Sequence, residues 1–84
     1  MRYSDATDFF EKQKQVNNIP RNAVLDFLEK RIVETGQPGP DSGPKEFSDV
    51  LAWVCRFYEE SEMRFYELTA TMDGKIIRYD HSMQ

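Results

Sequence analysis

The last quarter of the chain limits the fold most strongly, because two runs rich in β-branched and aromatic residues flank the dipeptide Asp73-Gly74. Asp-Gly favours a two-residue type I′ turn, since both central residues of that turn need a positive φ, which glycine adopts freely. Residues 64–80 are therefore predicted to form an antiparallel β-hairpin.

A two-residue loop also predicts the register of this hairpin, with Leu68 opposite Tyr79 and Ala70 opposite Ile77. Cross-strand partners share a face of the ribbon. The predicted apolar face consists of Tyr66, Leu68, Ala70, Met72, Ile77 and Tyr79. An isolated hairpin is only marginally stable in water, so we expect this face to be covered by the rest of the chain or by a second copy.

Upstream of the hairpin, apolar residues recur at helical intervals and predict three helices. The first spans about residues 4–17, the second runs from Pro20 to Thr35, and the third runs from Pro44 to about Ser61. The segment 36–44 is rich in proline and glycine and is predicted to be a surface loop, because neither residue type continues a helix or a strand ladder well.

These elements predict one small α+β domain over residues 1–84, with three helices followed by a C-terminal antiparallel β-hairpin (ααα-ββ). Pairing of two such hairpins across a dimer is one way to complete the sheet. A chain of 84 residues buries only about 60–65% of the surface that its unfolded form exposes, so association would add useful stability.

Composition indicates a folded, soluble chain, with 39% hydrophobic and 31% charged residues. No apolar run approaches the roughly 20 residues that span a bilayer, and the N-terminus lacks the layout of a signal peptide, so no membrane association is expected. The single cysteine, Cys55, cannot form an internal disulfide and agrees with a reducing compartment. A cytoplasmic location is therefore predicted.

No motif indicates a reaction, a cofactor or a metal. Cys55 and His81 are the candidate nucleophile and base, but cysteine more often acts as a small buried hydrophobe. The acidic residues between 59 and 62 lack the spacing of a metal site. The sequence therefore predicts a protein that is not an enzyme and holds no cofactor.

One alternative comes from the element order, since three helices followed by a hairpin is also the order of a winged-helix DNA-binding domain. In that hypothesis Arg64, Lys75 and Arg78 contact phosphates from the hairpin. The predicted third helix offers several carboxylates and few base-reading donors, and the formal net charge is −4. Nucleic-acid binding is accordingly the second hypothesis.

Aromatic residues make up 13% of the chain, more than so small a core is expected to hide. Tyrosine, tryptophan and methionine are enriched at protein interfaces. We therefore predict a small acidic protein-binding or regulatory protein that acts through an aromatic-rich interface, with a homodimer as the expected assembly and a protein partner whose identity the sequence does not give, although an acidic protein of this kind can bind basic targets. The predicted interface residues are Trp53, Phe57, Tyr58, Tyr66, Leu68 and Tyr79.

Overall fold

The computed structural model describes residues 1–37 and 46–82, with the side chains of residues 1–34 and 49–82. One helix precedes four strands, which form a single antiparallel sheet in the order β1-β2-β3-β4. The elements are α1 (Tyr3–Val16), β1 (Val24–Gln37), β2 (Glu46–Glu59), β3 (Arg64–Thr71) and β4 (Ile76–His81). In this part of the chain no helix is both long and apolar enough to cross a membrane.

The fold belongs to the α+β class and its first helix is confirmed, but the ααα-ββ architecture is wrong. Residues predicted as the second and third helices form β1 and β2, which pair from Val24 opposite Tyr58 to Gln37 opposite Glu46. Of the predicted loop, Gly36 and Gln37 belong to β1, and residues 38–44 lie outside the described residues.

The sequence of β2 explains the error. Its apolar residues serve both faces of the strand, with Trp53 and Cys55 on one side and Ala52 and Val54 on the other, all at most 2% exposed. A continuous apolar run of this kind resembles one wide helical stripe when only its spacing is considered. Its valines and aromatic residues fit a pleated sheet, where pairing with β1 on one edge and β3 on the other stabilises the strand.

α1 packs against one face of the sheet, which we call the α1 face, and the core lies between them. Ala6 and Phe10 of α1 are fully buried against Trp53, Phe57 and Leu68. Burying a large apolar side chain contributes about 1.5–3 kcal/mol, so this layer supplies most of the stability of the described fold.

The C-terminal hairpin is confirmed, although its loop is longer than predicted. The N–H of Thr71 donates to the carbonyl of Lys75 at 2.8 Å, and the N–H of Gly74 donates to the carbonyl of Thr71 at 3.1 Å. Gly74 has φ of 94°. The three residues 72–74 therefore form the loop, which combines a β-turn with a left-handed glycine.

A β-bulge compensates for this longer loop. Ala70 pairs with Ile76, and the register then shifts so that Leu68 pairs with Tyr79 as predicted. The extra residue is Ile77, which is 39% exposed, whereas Ile76 packs against the core. The predicted pairing of Ala70 with Ile77 is therefore wrong, because the bulge exchanges the roles of the two isoleucines.

The paired strands β1 and β2 extend past the helix. Each strand has 14 residues and is about 46 Å long, whereas α1, with the same number of residues, is about 21 Å long. Residues 32–37 and 46–51, where β2 no longer pairs with β3, form the projecting part, which we call the β1–β2 arm. Ile32 and Leu51 face each other there and are 67% and 46% exposed.

The projecting arm makes the molecule elongated. Its radius of gyration is 14.4 Å, compared with about 12 Å for a compact chain of this length. A two-stranded ribbon that carries exposed aliphatic side chains gains little stability by itself. The arm is therefore the part of the described chain that would gain most from a further contact.

Candidate functional site

The sheet face opposite α1, which we call the open face, is not covered by any described element. Side chains alternate along each strand, so the paired residues of the four strands identify which side chains share this face. Its members are Val24, Phe27, Glu29, Arg31 and Val33 of β1, Val50, Ala52, Val54, Arg56 and Tyr58 of β2, Phe65, Glu67, Thr69 and Thr71 of β3, and Arg78 and Asp80 of β4.

Arg56 lies at the centre of a cluster on this face. Its Nε and Nη2 donate to the same carboxylate oxygen of Glu67, at 3.1 Å and 2.8 Å. The guanidinium carbon is 5.0 Å from the ring centre of Phe27 and 4.9 Å from that of Phe65. Two cation–π contacts and a charge-assisted pair of hydrogen bonds therefore fix this side chain in one orientation.

Aromatic residues continue the cluster toward the end of the sheet. The rings of Tyr58 and Phe65 are 4.8 Å apart, and Phe65 is 37% exposed. Ser82, which follows β4, is hydrogen-bonded to Phe65. The N–H of Phe65 donates to the Ser82 hydroxyl at 2.8 Å, and the N–H of Ser82 donates to the Phe65 carbonyl at 2.9 Å.

An open concavity of about 320 Å³ lies beside the cluster. It is lined by Arg56, Phe65, Glu67, Asp80, His81 and Ser82. Two of these side chains are carboxylates, and although Glu67 pairs with Arg56 through Oε2 and Asp80 pairs with Arg78 through Oδ2, each carboxylate has a second oxygen outside these ion pairs. The concavity is therefore suited to a basic or hydrogen-bond-donating group.

The charges of the open face are arranged as pairs. Arg31 pairs with Glu29, Arg56 with Glu67, and Arg78 with Asp80. Because each cation already has a carboxylate beside it, a phosphate backbone would have to displace that carboxylate in order to bind. The face is consequently a poor polyanion-binding surface, although it carries three arginines.

Small side chains form the floor between these larger groups. Ala52, Val54 and Thr69 are 0%, 2% and 4% exposed although none of the described elements packs above them. Their neighbours on the face are long or aromatic and shield them from water. The open face therefore combines a low centre with a rim of arginine and aromatic side chains.

The structure places most predicted interface residues in the core rather than on this face. Trp53, Phe57 and Leu68 are fully buried, Tyr66 is 8% exposed, and Tyr79 packs partly buried against the same core cluster. These five therefore contact the protein's own interior, which leaves a partner little of their surface.

Tyr58 is the one predicted interface residue that lies on the open face. Sequence reasoning missed Phe27, Arg56, Phe65 and Glu67 as a group, because it assigned Phe27 and Arg56 to helices. The alternation of Val54, Arg56 and Tyr58 along β2 was the signal that could have revealed the face.

The basis of the winged-helix alternative is wrong, because residues 46–59 form a strand and not a recognition helix. The structure does not bring the three proposed phosphate-binding residues together. Arg64 begins β3 and Lys75 follows its other end, about 24 Å away along an extended strand. Arg78 lies on the open face and pairs with Asp80 at 3.5 Å.

Cys55 lies in the core with no exposed surface. Desolvation by burial is the main reason that its pKa is raised from 9.0 to about 12, with a further contribution from the carboxylates of Glu11 and Glu67. The thiol is therefore protonated at neutral pH and is not an activated nucleophile. Within the described ranges, no three His, Cys, Asp or Glu residues are grouped to hold a metal ion.

Comparisons of the chain with models of protein families, with curated proteins and with solved structures found no match. Function therefore has to be argued from the geometry of this chain. The open face is the feature that α1 leaves available, and Arg56 is its most highly organised side chain.

Proposed function

We propose that this chain is a small acidic, non-enzymatic protein-binding or regulatory protein that acts through its open face and works as a homodimer. The observation that supports this most is the cluster of Arg56 with Phe27, Phe65 and Glu67. Arginine and aromatic residues are enriched at the centres of protein interfaces and contribute most of their binding energy.

The cluster is also organised before any partner arrives. Arg56 is already held by a carboxylate and two rings, so little side-chain freedom remains to be lost on binding. Ordering a flexible side chain at an interface costs about 0.5–1.5 kcal/mol, and this cost is largely avoided here.

Charge favours a basic partner. The chain has a formal net charge of −4, which attracts a positively charged protein and accelerates encounter. The concavity beside Phe65 adds a local reason, since Glu67 and Asp80 line it. A lysine or arginine of the partner would place its positive group between these carboxylates while its stem packs on the Phe65 ring.

Site-specific photo-crosslinking in cells of the source organism tests this proposal. A photoreactive phenylalanine analogue replaces Phe65 on the open face, and the matched control carries it at Val16, which is 72% exposed at the end of α1. We expect one defined adduct with a second, basic protein from position 65 and none from position 16.

The adduct should also depend on the cluster. In the Phe65 crosslinking variant, Arg56→Met retains an apolar stem but removes the guanidinium, so the yield of adduct should fall at least fivefold. Equal adducts from positions 65 and 16, or an adduct that contains only a second copy of this chain, would contradict the proposed use of the open face for a separate partner.

A further inference from the structure

β1 is an edge of the sheet, and its length makes it unusual. It has 14 residues and pairs with β2 alone among the described strands, whereas the opposite edge, β4, has six residues. The free side of an edge strand presents unpaired N–H and C=O groups that can pair with another chain. The irregularity between Leu25 and Phe27 interrupts the ladder, so the regular edge begins at Phe27.

We propose that a second copy of this chain pairs its β1 antiparallel to this β1, about a two-fold axis through Lys30, so that two four-stranded sheets become one continuous sheet. This inference rests on the proposed homodimer and names the surface that forms it. With the axis perpendicular to the sheet, both copies of α1 lie on one side and both open faces lie on the other.

Charge complementarity supports this register on the open face. Residues equidistant from Lys30 become partners, so Glu29 lies opposite the partner subunit's Arg31, and the symmetry creates this pair twice. Glu29 and Arg31 pair with each other in the single chain, but at 44% and 49% exposed each can also contact its counterpart on a second copy. Opposite charges directly across an antiparallel ladder stabilise it.

Apolar complementarity supports the same register. On the α1 face, Leu28 lies opposite the partner's Ile32, which covers part of a side chain that is 67% exposed in the single chain. On the open face, Phe27 lies opposite the partner's Val33. Each of these contacts is also formed twice.

The like charges at the axis are the unfavourable feature of this register, and the structure reduces their effect. The ammonium of Lys30 lies 5.1 Å from the ring centre of Trp53 and 5.8 Å from that of Tyr3 in its own chain. It is therefore held over β2 and α1 and away from the free edge.

Neighbouring registers match less well. Centring the axis on Arg31 or on Glu29 places two identical charges opposite each other and forms no opposite-charge pair across the ladder. Centring it on Ile32 pairs Lys30 with the partner's Glu34 but places Leu28 opposite the partner's Gly36. The axis at Ile32 keeps one aliphatic contact, between the two copies of Ile32, whereas the axis at Lys30 combines two ion pairs with two contacts between Leu28 and the partner's Ile32.

The proposed contact is small. Pairing from Phe27 to Val33 lies at the lower end of interface sizes, below about 1,200 Å² of total buried surface, so we expect a dissociation constant on the order of 1–100 μM. Sedimentation velocity of the full chain over that concentration range should show a reversible monomer–dimer equilibrium.

A charge-swap experiment tests the register. In Arg31→Glu, two carboxylates face each other across the axis, and in Glu29→Arg, two guanidinium groups do so, so each variant alone should dimerise at least roughly tenfold more weakly than the original chain. An equimolar mixture restores both opposite-charge contacts, and its heterodimer should recover the original affinity. Lys12→Glu on the exposed side of α1 is the matched control and should dimerise normally.

Disulfide trapping provides an independent test. Lys30→Cys places two thiols opposite each other at the axis, within the separation that a disulfide requires, and should form a covalent dimer rapidly under mild oxidation. The original chain, whose Cys55 is buried, and Lys12→Cys are the controls.

Three results would overturn the inference: a chain that stays monomeric at 500 μM, a mixture that does not recover affinity, or Lys30→Cys that links no faster than Lys12→Cys. Failure of the proposed function differs from these, because it appears as loss of the specific Phe65 adduct with another protein. A specific adduct that persists in Arg31→Glu at a concentration where this variant is monomeric would retain the open face as a binding site while removing the need for a dimer.

Discussion

The two faces of the sheet are built from the same strands but stabilised in different ways. On the α1 face, Trp53 and Phe57 of β2 are fully buried beneath the helix. On the open face, Arg56 lies between them in sequence and relies on Glu67 and two aromatic rings. Large buried side chains contribute several times the stability of a surface ion pair, which contributes about 0–1 kcal/mol.

This difference separates stability from recognition. Substitutions on the α1 face should affect folding first, because they create cavities in a close-packed layer. Substitutions on the open face should leave the fold nearly intact and change what it can bind. The following measurements compare the faces directly, beginning with the largest expected effect.

Trp53→Ala should produce the largest loss of stability. Truncating a fully buried tryptophan costs about 3–5 kcal/mol, because contacts are lost and a cavity remains. Urea unfolding followed by far-UV circular dichroism measures the change, and Tyr58→Ala on the open face is the comparison. Equal losses for the two variants would contradict the assignment of stability to the α1 face.

Alkaline pH should also act through the α1 face. The unfolded thiol of Cys55 ionises near 9.0, whereas the folded thiol has a pKa of about 12, so the folded state holds more protons in this range. The free energy of unfolding should therefore fall as pH rises above 9, by up to about 1.4 kcal/mol per pH unit, until the folded thiol also ionises. Urea titrations at pH 8, 9, 10 and 11 measure this change. The free energy of unfolding of Cys55→Ala should depend less on pH over this range than that of the original chain.

Gly74→Ala tests the turn that connects β3 to β4. This turn matters for both faces of the sheet, because β4 contributes side chains to each of them. The added Cβ would meet Met1 Cε at 3.6 Å, an ordinary contact, so the expected cost arises from the φ of 94°. A side chain in the left-handed region costs about 1–2 kcal/mol. Thermal unfolding measures this, and Lys75→Ala beside the turn is the control that should change stability much less.

Arg56→Met should have the smallest effect on stability and a large one on binding. The guanidinium is partly exposed, so loss of its ion pair and ring contacts should cost about 0.5–1 kcal/mol. Unfolding in urea gives the stability term, and the yield of the Phe65 crosslink gives the binding term. A loss comparable to that of Trp53→Ala would show that the open face belongs to the structural core.

Local signals predicted the two ends of the chain correctly. α1 has helical spacing over a short segment, and Asp73-Gly74 indicates a hairpin whose partners are close in sequence. The middle was predicted wrongly because residues 38–45, between β1 and β2, contain no Asn-Gly or Asp-Gly dipeptide to indicate a two-residue hairpin turn. Their apolar residues satisfied the helical pattern while their actual stabilisation came from pairing with each other.

The candidate site was less accessible to sequence reasoning than the fold. Phe27, Arg56 and Phe65 come from three different strands, and only the register of the sheet brings them together. Aromatic content drew attention to residues of β2 and β3, but residue type alone could not show which aromatic side chains face α1. The register of strand pairing determines which side chains of a strand face α1. That information is lost when residues 20–35 and 44–61 are assigned to helices.

The bulge at Ile77 has a consequence for the tolerance of this hairpin to insertions and deletions. The three-residue loop moves β4 one step out of phase, and the bulge moves it back, so Tyr79 still points toward α1. Removing one loop residue alone would leave the bulge uncompensated and turn the rest of β4 over. Removing Ile77 together with that loop residue would preserve the phase, which makes the two positions a matched pair for redesign or natural length variation.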